Sequence, residues 1–154
     1  MIPFANETVT IYNQVQGIDQ IINKAFTMWI RHVLTGCSWR SSMQTIRVDT
    51  INITSDNYIV QVPYSEMYVP YAEYAQMTAK EQEEHFTGNA GDILVRGEVT
   101  DEIKLFMADG KVGQEGITVT KLKEKYKGRI LTVKDFQNNA LDGFPLKHYQ
   151  FIGA

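Results

Sequence analysis

The chain has 154 residues, of which 44% are hydrophobic and 21% charged, a composition typical of a folded globular domain and too apolar for a disordered chain. The formal net charge is -3, and Lys and Arg are spread along the sequence, which argues against a surface that grips a nucleic-acid backbone. The single cysteine, Cys37, excludes a disulfide within the chain and a multi-thiolate metal site. We expect one domain over residues 1–154.

The N-terminal segment and the apolar runs bear on localisation. Residues 1–15 contain no Lys or Arg and no continuous apolar run, which argues against a signal peptide. No stretch approaches the roughly 20 apolar residues of a transmembrane helix. We therefore expect a protein that is made in the cytoplasm and has no membrane partner.

The first half of the chain is predicted to be mainly strands. Residues 7–12 alternate between apolar and polar positions, as a half-buried strand does. Residues 24–35 are rich in β-branched and aromatic side chains and end at Gly36, which indicates a second strand. These two strands are expected to pair as a hairpin, connected by residues 17–23.

Two further strands are predicted before the pattern changes. Residues 45–53 alternate again and form a weaker third strand, and residues 57–64 form a fourth, with Pro63 marking its end or a sheet edge. Residues 64–89 are expected to be a helical insertion. Within it, Thr78 and Glu81 have the spacing of a capping box, which predicts a short exposed helix over residues 79–86.

The second half returns to strands around one more helix. Residues 92–96 and 129–136 are predicted strands, and residues 147–152 close a hairpin after a turn marked by Asp142-Gly143. Thr118 or Thr120 is expected to cap a helix that runs to residue 127 and stops at Gly128. Residues 99–116 follow no clear period and are predicted to form an extended loop or arm.

These elements define the expected fold class. Six or seven strands, with two short inserted helices and no alternation of strand and helix, predict a mainly β domain built as a small antiparallel barrel or sandwich. The sequence contains no internal repeat that would indicate a solenoid or propeller.

The residues that could carry chemistry do not form a recognisable site. His32, His85 and His148 are far apart and lack metal-ligand spacing, and no phosphate-binding loop or nucleophile elbow is present. Cys37 lies near Arg40, which could activate a thiol, but a buried structural thiol is the favoured interpretation. We therefore predict no catalytic residue, no cofactor and no metal, and expect that the protein is not an enzyme.

A group of tyrosines is more informative. Tyr64, Tyr68, Tyr71 and Tyr74 lie together with two methionines on the segment that joins a strand to the polar helix. Aromatic and Met residues are enriched at protein interfaces, so these tyrosines are candidate interface residues. The alternative is that they roof the core of the domain.

Three stretches together resemble a family of small phage virion proteins encoded between the portal and tail genes of tailed phages and prophages of Gram-positive bacteria. The first is residues 29–34 (WIRHVL) leading into 36–40 (GCSWR), and the second is residues 91–98 (GDILVRGE). The third is residues 130–135 (ILTVKD), followed by a Gly-containing turn and residues 148–153 (HYQFIG). This order is also the general layout of phage head-closure, or stopper, proteins.

The resemblance implies a structural role in the virion. The chain would be a head-tail connector of the neck, forming a homo-oligomeric ring between portal and tail and helping to retain or gate the packaged DNA. Its partners would be other copies of itself, the portal or an adaptor protein, and tail proteins, with transient contact to DNA in the channel. The residues carried over are structural, so no catalytic residue is implied.

The loop at residues 99–116 is the candidate for an interface arm or a loop facing the channel. Its acidic residues Asp101, Glu102, Asp109 and Glu115 are compatible with DNA that must slide without sticking. An ordinary surface loop is the alternative. Two other functions stay open: a tail terminator or tail completion protein, and a small β-barrel binding module or enzyme whose site residues converge from distant strands.

Overall fold

The computed structural model describes residues 6–19, 24–48, 51–103, 106–107, 116–141 and 146–154. Its strands are β1 (Glu7–Asp19), β2 (Lys24–Val48), β3 (Ile51–Pro63), β4 (Ile93–Arg96), β5 (Phe106–Met107), β6 (Ile130–Asn139) and β7 (His148–Gly153). Its helices are α1 (Tyr71–Tyr74), α2 (Ala79–Glu84) and α3 (Val119–Lys125). Among these helices, none has the length and apolar character needed to cross a membrane.

Six strands pair in a closed order, which we call the strand ring. The order is β1-β4-β6-β7-β3-β2, and an antiparallel pairing between β2 and β1 closes it. Every pairing within the ring is antiparallel, and the short strand β5 adds to the free edge of β2. This confirms the prediction of a mainly β, antiparallel barrel or sandwich with short inserted helices.

The main apolar core is formed by alternate positions of the ring strands. Along β1, Val9 and Ile11 point into this core, because residues two apart in a strand lie on the same face. Phe86 enters the same cluster from the segment that follows α2. The buried members are Val9, Ile11, Leu34, Cys37, Trp39, Val60, Val62, Phe86, Leu94, Leu131, Val133, Tyr149 and Phe151.

A second core lies on the other face of the same strands. Tyr12 of β1 packs there with Ile93 and Val95 of β4, against Leu122 and Tyr126 at α3. The prediction of a half-buried strand at residues 7–12 was therefore wrong in one respect, because Thr10 and Tyr12 on the supposedly polar face are 0% exposed. Helix α3 and residues 99–103 cover that face of β1. Because they lie about 90 residues or more after β1 in the sequence, the local pattern of residues 7–12 could not predict this cover.

The insertion between β3 and β4 packs on the β1–β2 hairpin. Tyr74 of α1 lies in a third cluster with Val15 of β1 and Ile30 of β2. Helix α2 begins at the predicted capping box, in which Thr78 Oγ1 accepts from the Glu81 amide at 3.3 Å and the Glu81 carboxylate accepts from the Thr78 amide at 3.4 Å. The single turn of α1 was not predicted.

Helix α3 is also confirmed. Thr118 is its N-cap and accepts a hydrogen bond from the Lys121 amide at 3.2 Å. Gly128 follows the helix with a φ of +89°, a left-handed conformation that favours glycine. The predicted strands at residues 92–96, 129–136 and 147–152 correspond to β4, β6 and β7, whereas the Asp142-Gly143 turn lies outside the described residues.

The largest correction concerns β2. It does not end at Gly36 but passes through this residue, whose φ is +69°, and continues to Val48, because residues from Ser38 onward change partner from β1 to β3. The strand predicted at residues 45–53 was wrong, since this range spans the end of β2 and the start of β3. Similarly, β1 runs through Gly17 to Asp19, so the predicted connection 17–23 began too early.

Candidate functional site

The hairpin of β2 and β3 projects beyond the strand ring as a two-stranded ribbon, which we define as residues 42–48 and 51–57. It contains the seven register pairs from Ser42–Asn57 to Val48–Ile51. Within the described residues, no third strand pairs with either edge of the ribbon, because β1 pairs with β2 only up to Cys37 and β7 pairs with β3 only from Tyr58. In the part of the chain that the structure describes, the outer backbone N–H and C=O groups of the ribbon thus have no strand partner.

Along the ribbon, apolar and polar register pairs alternate in sequence. The apolar pairs Ile46–Ile53 and Val48–Ile51 flank the polar pair Arg47–Asn52. Isolated two-stranded ribbons are marginally stable in water.

The N-terminal part of β2 extends in the other direction and packs against other parts of the same chain. At its N-terminal end β2 pairs with β1 up to Lys24, and β5 adds to the opposite edge at Phe26 and Thr27. The insertion covers this hairpin through the cluster that contains Tyr74. The N-terminal extension of β2 is thus packed by the chain itself.

A groove of about 230 Å³ opens where β2 and β3 separate. Residues 32–35 of β2 form one wall, and residues 62–65 at the end of β3 form the other, with Met67 at the rim. Four consecutive residues of a strand can all line a groove when the strand's backbone edge faces it, since side chains alone would alternate. The groove is thus bounded by a strand edge.

Two exposed apolar side chains mark the rim of this groove. Tyr64 is 54% exposed and Met67 is 51% exposed, and the third large hydrophobic side chain of this kind among the described residues is Leu141, at 58%. The Lys147 ammonium lies 5.8 Å from the centre of the Tyr64 ring. Tyr64 and Met67 form the exposed apolar patch expected of a contact surface.

The other predicted tyrosines belong to the chain's own packing. Tyr68 lies 4.4 Å from Tyr149 between ring centres and also packs on Phe86, so it closes one end of the main core. Tyr74 is 0% exposed, and its hydroxyl donates to the Gln82 carbonyl at 3.2 Å. Tyr71 is half-buried. Of the four tyrosines, Tyr64 is the one placed at the groove.

The acidic residues predicted to face an interface or a channel divide into two groups. Asp101 accepts hydrogen bonds from Lys125 Nζ at 2.9 Å and from the Tyr126 hydroxyl at 2.6 Å, and these bonds lower the pKa of its carboxyl. Glu102 forms an ion pair with Arg31 at 2.9 Å. Both carboxylates therefore hold residues 99–103 against α3 and β2. Asp109 and Glu115 lie outside the described residues.

A buried polar cluster that the sequence did not indicate fastens the end of the insertion to β1. The Asp92 carboxylate accepts hydrogen bonds from Asn13 Nδ2 at 3.0 Å, the Gln14 amide at 2.9 Å and the Asn89 amide at 2.9 Å. Asn13 Nδ2 also donates to the Thr87 carbonyl at 2.7 Å. Burial raises the pKa of Asp92 to about 6 despite these donors. Since its donors come from the chain itself, we interpret the cluster as structural.

The histidines and the cysteine are held by local contacts. His32 and His148 lie in strands, as predicted, and the His32 ring stacks on Phe86 at 5.7 Å between centroids. Burial raises the pKa of the Cys37 thiol to about 12, so the thiolate is scarce at neutral pH, as expected for a structural thiol. Within the described residues, no group of three or more His, Cys, Asp or Glu side chains is placed to hold a metal ion.

The chain also matches a protein family known from sequence. The sequence model of a family described as a family of unknown function, DUF6751, matches residues 4–154, which is nearly the whole chain. Searches of curated proteins and of solved structures found no match.

Proposed function

The chain belongs to DUF6751, a family of unknown function, and we propose that it is a structural virion protein of the phage neck. In this proposal it is a head-tail connector of the head-closure, or stopper-like, type. Copies form a ring between portal and tail and help to retain or gate the packaged DNA. Its partners are other copies of itself, the portal or an adaptor protein, and tail proteins.

The observation that carries the proposal is the ribbon. The strand ring closes without the ribbon, because residues 38–41 of β2 already pair with residues 58–61 of β3 within the ring. Two edges without a strand partner among the described residues would be a liability for a protein that acts alone, since such edges promote association. In a subunit of an assembly, the same features are the contact surface.

The family resemblance supports the neck in particular. Its three stretches fall on strands of the ring: the first on β2, the second on β4, and the third on β6 and β7. They are therefore the framework of the fold rather than scattered matches. The net charge of -3 is compatible with transient contact to DNA, because a protein that lines a channel must not hold the phosphate backbone tightly.

The experiment that tests this function is complementation of virion assembly. The gene is disrupted in the phage or prophage that carries it, and particles are collected with and without the wild-type chain supplied in the same cells. The proposal predicts that particles lacking the chain lose packaged DNA and carry no tails, and that the supplied chain restores both and is found in purified virions. Normal tailed, DNA-filled particles made without the chain would refute it.

A further inference from the structure

Helix α3 and the turn after it carry a concentration of positive charge, which we call the basic surface. Five of the chain's 15 Lys and Arg residues lie within residues 121–129 and all five are exposed, so the basic residues are less evenly spread than the sequence first indicated. With one Glu in the same segment, its net charge is +4. The basic surface consists of Lys121, Lys123, Lys125, Lys127 and Arg129.

Contacts within the chain account for only part of this charge. Lys125 Nζ donates to Asp101 at 2.9 Å, and cations in the last turn of a helix offset its dipole. Among the described residues, however, Lys121, Lys123 and Lys127 form no ion pair. The basic surface is thus available to an anionic partner.

A pocket of about 240 Å³ lies against the basic surface. Lys123 and Lys127 line it together with Ile130 and Leu131 of β6. Because small-molecule sites usually have volumes of about 300–1,000 Å³, this pocket is better suited to a side chain from another protein. Its lining favours an apolar side chain with carboxylates beside it.

The insertion carries the opposite charge, on what we call the acidic surface. Residues 64–89 contain five Glu and one Lys, a net charge of -4. All five Glu side chains are exposed, and none forms an ion pair within the part of the chain that the structure describes. The acidic surface consists of Glu66, Glu73, Glu81, Glu83 and Glu84.

The acidic surface includes an exposed apolar side chain, that of Met67, which is 51% exposed. Glu66 directly precedes it. The Phe86 amide donates to the Met67 carbonyl at 3.1 Å, which brings the end of α2, with Glu84, beside this segment. Met67 therefore has the neighbouring carboxylates that the pocket favours.

The two surfaces lie on opposite faces of β1. Tyr74 of the insertion packs with Val15 of β1, whereas Leu122 of α3 packs with Tyr12. Residues three apart in a strand point to opposite faces. The sheet thus separates the two surfaces within one chain, and complementary surfaces placed in this way suit a head-to-tail contact between copies.

We infer that the acidic surface of one copy docks on the basic surface of the next. Met67 enters the pocket in this contact, and Glu66 and Glu84 lie next to its lysines. The inference rests on the proposed function, because a ring repeats one head-to-tail interface in every copy. Charges of -4 and +4 determine which surfaces meet. A second copy is favoured over DNA because the whole chain has a net charge of -3.

Charge reversal on either surface tests the contact. The basic-reversed variant carries Lys123→Glu with Lys127→Glu, and the acidic-reversed variant carries Glu66→Lys with Glu84→Lys. All four side chains are exposed, so both variants should fold, and circular dichroism with thermal unfolding checks this. The control is Arg40→Glu with Lys134→Glu, which changes the net charge as the basic-reversed variant does, at exposed positions outside both surfaces.

Sedimentation of the purified chains measures self-association. We expect the wild type and the control to form multi-copy species that dissociate as salt rises, because salt screens exposed charges. Each reversed variant should self-associate at least about tenfold more weakly, since like charges then meet. An equimolar mixture of the two reversed variants should assemble again, because each reversed surface meets its opposite charge, a rescue that loss of folding could not give.

Three results would overturn the inference: a wild type that stays single, a reversed variant that assembles like the wild type, or a mixture that stays single. Duplex DNA is added in a parallel run. If the basic-reversed variant lost DNA binding but kept self-association, the basic surface would belong to nucleic acid and the inference would fail. Complementation of virion assembly is a separate measurement, so failure of this contact is distinguishable from failure of the neck function.

Discussion

The side-chain amide of Asn13 in β1 donates a hydrogen bond of 3.0 Å to the carboxylate of Asp92, 79 residues further along the chain. Both side chains are almost completely buried. The pair joins the first ring strand to the point where the insertion returns to β4, and near that end of the insertion the Phe86 amide donates to the Met67 carbonyl at 3.1 Å. This hydrogen bond therefore contributes to holding Met67 at the rim of the groove.

Replacing Asp92 by Asn tests this cluster through its pH dependence. Burial raises the pKa of Asp92 to about 6, above the value of about 3.9 expected in the unfolded chain. The stability linked to its protonation is therefore fully present below about pH 4 and is lost as the pH rises through about 6. Between pH 4.5 and 7.5, the unfolding free energy of the wild type should fall by about 2 kcal/mol relative to Asp92→Asn.

Chemical denaturation at several pH values measures this difference. Comparison with the variant cancels the titration of the other carboxylates, and Asp135→Asn is the control because Asp135 is an exposed carboxylate on β6. If the wild type instead gained stability over Asp92→Asn as the pH rose, the hydrogen-bond donors would outweigh burial and the account of this carboxyl would be wrong.

Cys37 should be unreactive in the folded protein. Its side chain is fully buried in the main core, and burial raises the pKa of the thiol to about 12, so almost no thiolate is present at pH 8. A thiol-specific reagent should label no cysteine in native buffer and one per chain in denaturant. Glu124→Cys, at an exposed position of α3 away from the groove, should label readily at its new cysteine in the folded protein. Rapid native labelling of the wild type would contradict the placement of Cys37.

The second core, which holds α3 against the ring strands, leads to a prediction for Leu122. Leu122 is completely buried between this helix and the ring strands, so Leu122→Ala should lower the unfolding free energy by about 2–5 kcal/mol. Lys123→Ala on the exposed side of the same helix should change it by less than about 0.5 kcal/mol. Thermal and denaturant unfolding measure both. Equal effects would mean that α3 is not docked on β1 and β4.

Gly88 is predicted to be required for its small size. A Cβ atom at this position would overlap the Phe136 ring, so Gly88→Ala should cost about 1–3 kcal/mol through overpacking. In a Phe136→Ala background the ring is absent, and the same substitution should cost almost nothing. The unfolding free energies of the two single variants and the double variant form the test, and additive effects would show that the two positions are not in contact.

The sequence was informative where local patterns decide the structure. The capping box at Thr78 and Glu81 and the cap at Thr118 specify helix starts, because they depend on residues three apart. Alternation located β1, and Pro63 located the end of β3. The antiparallel fold class followed from the number of strands and the absence of alternating helices.

The sequence was misleading where distant residues decide. Gly36 resembles a strand end, yet β2 continues because β3 takes over as its partner. Residues 45–53 alternate across the ribbon tip without Gly or Pro, so no local signal marked the turn between β2 and β3. The groove combines residues 32–35 with residues 62–65, and no pattern in either segment alone predicts that they meet.

The most direct measurement of the central claim is electron microscopy of negatively stained samples. The purified chain is imaged alone and after mixing with tailed-phage particles that lack it. The account predicts rings of the chain, or added density at the portal vertex of the particles. A chain that forms no ring and adds no density at the portal vertex would contradict it and would favour a small binding module or enzyme instead.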